Sequence, residues 1–126
     1  MTDGRILVVE DNEKNMKLFR DVLAAVGYRT LEATTGRDAV DLATEHTPDL
    51  VLMDIQLPDL DGVQALQRLR ADARTETIPV VALTAQAMRG DRERFLAAGF
   101  DGYVSKPVNV RDLIETVRHH CGGGTG

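Results

Sequence analysis

The chain has 126 residues, room for one domain and little more, and its 43% hydrophobic and 28% charged content supports a packed core and excludes a disordered chain. A formal charge of −5 speaks against direct nucleic-acid binding, which needs a basic surface, and the single cysteine, Cys121, excludes an internal disulfide framework. The apolar runs are too short to span a bilayer and Met1-Thr2-Asp3-Gly4-Arg5 is not a signal peptide, so a cytoplasmic protein without membrane contact is expected.

In chain order, Ile6-Leu7-Val8-Val9 reads as a strand buried on both faces. Met16, Phe19, Val22, Leu23 and Val26 then recur at helical spacing, with Gly27 as the stop. Tyr28 to Ala33 reads as a more polar strand, and Gly36 to His46 as a helix with Ala39, Val40 and Ala43 inward, ending before Thr47-Pro48. Leu50-Val51-Leu52-Met53 is a second apolar run. Val63, Leu66 and Leu69 mark a helix after the Asp61-Gly62 turn. Val80-Val81-Ala82-Leu83 is the third apolar run. A mostly charged helix follows from about Met88 to Ala98, anchored by Phe95 and capped by Gly99. Gly102 to Ser105 is a polar strand, and Val110, Leu113, Ile114 and Val117 complete a helical i, i+3, i+4, i+7 template behind Asn109 as cap. The tail after Cys121 is glycine-rich, so residues 1–121 are expected as the domain and 122–126 as a flexible end.

Five βα units in succession imply an α/β fold: a parallel five-stranded sheet with helices on both faces, a doubly wound three-layer sandwich. The three apolar strands belong in the centre and the two polar ones at the edges, which suits the order 2-1-3-4-5. In such sheets ligands bind beyond the carboxyl ends of the strands, where the order reverses. The first strand delivers Glu10 and Asp11 to that rim, the third Asp54, the fourth Thr84 and the fifth Lys106.

Three carboxylates against one lysine leave a deficit of two charges. Two carboxylates about 5 Å apart at an effective dielectric near 20 repel by roughly 3 kcal/mol. Either some of them hold protons or a divalent cation offsets them. Oxygen-only donors favour Mg²⁺, with Mn²⁺ as an alternative, over zinc. An aspartate can attack phosphorus to form an acyl phosphate, with a lysine and a hydroxyl as partners for the phosphoryl oxygens. Asp54 ends the most apolar central strand and is the best nucleophile candidate.

At these residues the sequence closely resembles the receiver domain of two-component response regulators, over about residues 4 to 120. The pieces are Val-Val-Glu10-Asp11-Asn, Leu-Met-Asp54-Ile-Gln-Leu-Pro-Asp-Leu-Asp-Gly, Val-Ala-Leu-Thr84-Ala and Tyr-Val-Ser-Lys106-Pro107. Each is weak alone; in this order and spacing they are highly specific. The wording is most similar to single-domain receivers that partner histidine kinases. The resemblance implies the flavodoxin-like fold, Asp54 as phosphoacceptor, and Mg²⁺ held by Asp11, Asp54, the backbone carbonyl of Gln56 and, through a water, Glu10. It implies that Lys106 and Thr84 contact the phosphoryl group, that Thr84 and Tyr103 form the switch, and that the Lys106-Pro107 bond is cis. It further implies phosphorylation by a histidine kinase or histidine phosphotransfer domain, and a downstream protein effector recruited by a changed surface. The product would be a monomer or a phosphorylation-dependent dimer, and a phosphoacceptor that assists its own phosphorylation and dephosphorylation rather than an enzyme. Gln56 and Gln86 stand where the family tunes dephosphorylation.

Other readings compete. Taken singly, Glu10-Asp11 suits a solvated helix start, Thr84 an ordinary β-former, Lys106 a surface lysine and Tyr103 edge-strand packing. A haloacid-dehalogenase-like phosphatase would carry a general-acid aspartate two residues after Asp54, where Gln56 stands. A receiver that binds partners without phosphorylation is opposed by the intact set of acids, Thr84 and Lys106. Gly62 is read as serving a turn, His119 and His120 as pointing to different helix faces, His46 as solvated, and Cys121 as a spare, unactivated thiol.

Overall fold

A computed structural model describes residues 4–59, 61–85 and 91–121. Strands β1 (Arg5–Val9), β2 (Arg29–Ala33), β3 (Leu50–Asp54), β4 (Val80–Thr84) and β5 (Gly102–Ser105) alternate with helices α1 (Glu13–Ala25), α2 (Gly36–His46), α3 (Gly62–Arg70), α4 (Asp91–Ala98) and α5 (Val110–His120). The strands form one parallel sheet in the order β2-β1-β3-β4-β5, as expected from the placement of the apolar runs. Every residue of β3 and β4 is buried, whereas β2 and β5 keep exposed positions, the signature of centre and edge.

Side chains alternate across the sheet and divide the core in two. Leu7, Val9, Val51, Met53, Val80 and Ala82 face α2, α3 and α4, meeting Ala39, Ala43, Leu66, Leu69 and Phe95. Ile6, Val8, Leu50, Leu52, Val81 and Leu83 face α1 and α5, meeting Met16, Phe19, Leu23, Leu113 and Val117. Phe19 is wholly buried, which is worth about 1.5–3 kcal/mol over an exposed ring.

The helices begin on side-chain caps. Asn12, Thr35 and Asn109 accept from the N–H three residues on, and Asp61 and Gln64 form a reciprocal capping box at α3. Gly27 and Gly99 end α1 and α4 at φ of 93° and 113°, a conformation that strains any residue with a Cβ.

Some expectations shift. β2 starts at Arg29, because Tyr28 is buried at the α1–β2 corner rather than paired in the ladder. The described part of α4 starts at Asp91; Gln86, Met88 to Gly90 and the tail 122–126 lie outside the described residues. Val110 fits the α5 template but is 43% exposed, since as the first helical residue it precedes the turn that meets the sheet. His119 and His120 do not diverge: their rings meet edge to face at 4.9 Å, and His120 Nε2 lies 3.3 Å from where a Cβ on Gly102 would stand. Cys121 is unactivated as read, its thiol pushed up to about 11 by burial and by Asp49.

Candidate functional site

Parallel register brings the strand ends together. Val9 pairs with Met53, Asp54 with Leu83 and Thr84 with Ser105, so Glu10, Asp54, Thr84 and Lys106 reach the carboxyl rim side by side. They line a cleft of ≈ 490 Å³ with Asp11, Asn12, Asn15 and Gln56.

Glu10 is 1% exposed and Asp54 5% exposed, so each carboxylate needs partners. The Lys106 ammonium supplies both, with Nζ 2.7 Å from Glu10 Oε1 and 2.9 Å from Asp54 Oδ2. The Asn12 N–H donates to Glu10 Oε2 at 3.1 Å and Asn15 Nδ2 to Oε1 at 3.4 Å. The Gln56 N–H donates to Asp54 Oδ1 at 2.9 Å, closing a tight turn at the strand end. Thr84 is buried, and its carbonyl accepts the Lys106 N–H at 2.7 Å, tying the ends of β4 and β5. The Lys106-Pro107 peptide is cis, as the resemblance implies.

The electrostatics follow. Burial drives the Glu10 carboxyl above its usual value; Lys106 and the Asn12 N–H oppose this, while the nearby Asp54 charge adds to it. Burial also acts to lower Lys106, but its bonds to Glu10 and Asp54 outweigh that and hold the ammonium above its usual value. One lysine does not balance three acids. Glu10, Asp11 and Asp54 each offer a carboxylate oxygen, all within 4.8 Å of one another, the one such group among the described residues. Asp11 is exposed, leaving the group open to solvent on one side. Clustered oxygen donors with surplus negative charge and access to water fit a hard divalent cation such as Mg²⁺.

Of the residues singled out in the sequence, Glu10, Asp11, Asp54, Gln56, Thr84 and Lys106 meet in this cleft. Tyr103 does not. Its ring packs against Phe95, centroids 6.2 Å apart, and borders a separate groove of ≈ 720 Å³ shared with Leu96, Ser105, Glu115 and His119. Being paired with Ala82 two residues before Thr84, Tyr103 stands on the same sheet face as Thr84.

Sequence reasoning passed over Asn15, whose signal was its place three residues after the cap Asn12, and it misjudged Gly62. Gly62 is needed for close approach rather than for the turn: a Cβ there would fall 2.6 Å from the Asp54 carbonyl oxygen and 2.9 Å from Ile55 Cα. Its N–H meanwhile donates to Ile55 O at 2.9 Å.

Comparison with known proteins agrees with this geometry. The family model of the response regulator receiver domain matches residues 6–118. The polar-differentiation response regulator DivK of Brucella ovis is 50% identical over 117 residues, covering 93% of this chain and 95% of DivK. The receiver domain of the sensor histidine kinase PA1611 of Pseudomonas aeruginosa PAO1, with magnesium coordinated in its active-site cleft, superposes with a TM-score of 0.87 at 38% identity, covering 95% of this chain and 98% of that one. The receiver domain of Ssk1 from Saccharomyces cerevisiae, crystallised with the histidine phosphotransfer protein Ypd1, superposes at 0.88 with 28% identity, covering 95% and 90%.

Proposed function

This chain belongs to the response regulator receiver domain family, and from that membership we propose that Asp54 is its phosphoacceptor, loaded in a Mg²⁺-dependent reaction by a histidine kinase or histidine phosphotransfer domain. The observation that carries the reading is the convergence of Asp54 with two further carboxylates within 4.8 Å and with the Lys106 ammonium at 2.9 Å.

The cation would be held by Asp11, Asp54 and the Gln56 carbonyl, with Glu10 acting through a water. When bound it supplies Lewis-acid polarisation of the phosphoryl oxygens and offsets the charge that gathers in transfer. The chain's own residues do the rest. An oxygen of the ionised Asp54 carboxylate forms the new bond to phosphorus as the bond from phosphorus to the donor's histidine nitrogen breaks, and the electron pair leaves with that nitrogen. The Gln56 N–H fixes the carboxylate plane. Lys106 holds Asp54 beforehand and serves as a fixed positive partner to one phosphoryl oxygen, while the Thr84 hydroxyl donates to another. Gln56, two residues after Asp54, leaves the cleft without the general acid of a haloacid-dehalogenase-like phosphatase. The product is thus a loaded protein rather than turnover on small esters.

Loading then acts by population shift, drawing Thr84 toward the phosphoryl group and Tyr103 inward, and so altering the surface read by a protein effector. Such receivers interact with histidine kinase or phosphotransfer partners, as the Ssk1–Ypd1 pair does.

Incubation with Mg²⁺ and acetyl phosphate should add one phosphoryl group per chain by intact mass. Asp54→Asn should take up none, and chelation of the metal should block uptake by the unaltered protein. Uptake that survives Asp54→Asn unchanged would refute the assignment.

A further inference from the structure

The segment between β3 and α3 carries Gln56, and it is bound to a helix that plays no other part in the cleft. Asp59 Oδ1 accepts the Gly36 N–H at 2.7 Å and Asp59 Oδ2 accepts the Arg37 N–H at 3.1 Å. These are the first two N–H groups of α2, which have no partner within the helix. Thr35 takes the next, from Asp38, at 3.1 Å. Arg37 Nε, 3.9 Å from Asp59 Oδ2, adds a second positive neighbour. The Asp59 side chain is only 26% exposed, although its segment lies at the surface. A carboxylate spanning two adjacent amides at the positive end of a helix has one orientation open to it.

The same segment is fastened on either side. The Gln56 N–H is on Asp54 Oδ1, Leu57 packs against the core under α2 and α3, and Gly62 abuts the Asp54 carbonyl. Asp59 lies between the Gln56 and Gly62 anchors, and its bonds tie this part of the segment to the start of α2. The Gln56 N–H bond fixes the peptide before Gln56, so the next peptide, which carries the Gln56 carbonyl, is held by Leu57 packing on one side and the Asp59 bonds beyond it.

We propose that Asp59 is a positioning residue for the cation: by clasping the start of α2 it holds the Gln56 peptide with its carbonyl aimed into the cleft, so that cation affinity depends on a residue that does not touch the ion. The proposal rests on the reading above that the Gln56 carbonyl and Asp54 are cation ligands.

The test is a Mn²⁺ titration of the full chain followed by electron paramagnetic resonance, with melting temperatures measured in chelator. Asp59→Ala should weaken Mn²⁺ binding about tenfold, the scale found for residues that orient a ligand without touching the metal. Asp59→Asn removes the charge but keeps one acceptor oxygen for the two helix amides, and should lose clearly less affinity than Asp59→Ala, about threefold. A lower melting temperature for Asp59→Ala with unchanged Mn²⁺ affinity would reduce Asp59 to a helix cap and overturn the proposal. Equal losses in both variants would assign the effect to charge at a distance, and also overturn it. Absence of Mn²⁺ binding by the unaltered protein would instead defeat the metal reading itself, and this proposal with it.

Discussion

Gly62 stands so close to Asp54 that a Cβ on it would lie 2.6 Å from the Asp54 carbonyl oxygen. The first turn of α3 therefore rests on the backbone of the proposed phosphoacceptor. Gly62→Ala must push one away from the other, and neither backbone has slack, because β3 is buried throughout and α3 is fixed by the Asp61–Gln64 box. We expect a loss of about 1–3 kcal/mol in denaturant unfolding, as for other overpacked sites, together with slower phosphoryl uptake. A variant as stable and as fast as the unaltered protein would show that the contact is easily relieved.

Lys106→Ala should move two observables in opposite directions. Removing the ammonium takes a positive charge from beside Glu10 and Asp54, so Mn²⁺ should bind more tightly, by about tenfold given a charge a few ångströms away. Uptake from acetyl phosphate should nonetheless fall by about a hundredfold, since a fixed positive partner for the transferring group is gone. Weaker metal binding with unimpaired uptake would contradict both roles.

The pH dependence of stability in chelator carries the imprint of Glu10. Its folded-state value is raised above the usual 4.5, chiefly by burial, so the folded protein binds more protons than the unfolded chain in the interval from 4.5 up to that value. Stability from this group therefore declines as pH rises through the interval and is greatest below it. Denaturant unfolding across that range should show the decline, and Glu10→Gln should flatten it. A Glu10→Gln curve parallel to that of the unaltered protein would count against this source.

Arg70→Ala offers a contrast at the other end of the sheet. Arg70 donates to the carbonyls of Glu76 and Ile78 at 3.1 and 2.6 Å and of Gly99 at 3.3 Å, and to Asp101 Oδ2 at 2.9 Å. Asp101 Oδ2 also accepts the Val80 N–H at 2.8 Å, at the start of β4. Losing this clamp should cost about 1–3 kcal/mol and lower the melting temperature by several degrees. Phosphoryl uptake should be unchanged, because the clamp sits at the opposite strand ends from Asp54.

The strands, the sheet order and the cleft were legible because each is written locally. Three apolar runs end in Glu10, Asp54 and Thr84, and topology alone then sets those ends in a row. What escaped depends on contacts between distant segments. Nothing near Asp59 in sequence announces Gly36, 23 positions away, and an Asp followed soon by Asp61-Gly62 looks like turn chemistry. Gly62 reads as a turn residue for the same reason, since close approach to another backbone leaves no trace in a single sequence. Helical spacing sets His119 and His120 on diverging faces, yet side-chain rotation brings the ring centroids to 4.9 Å. Tyr103 was visible only through the family resemblance, and packing against Phe95 defines its position.

Lys106 is fastened to three strands at once: by its backbone N–H to the end of β4 at Thr84, and by its ammonium to the residues closing β1 and β3. It works as a tripod head standing on the rim. One residue at the end of β5 thereby gathers the ends of β1, β3 and β4 into a single joint. That outermost strand also borders the groove beside Tyr103, so the cleft and the groove share one wall.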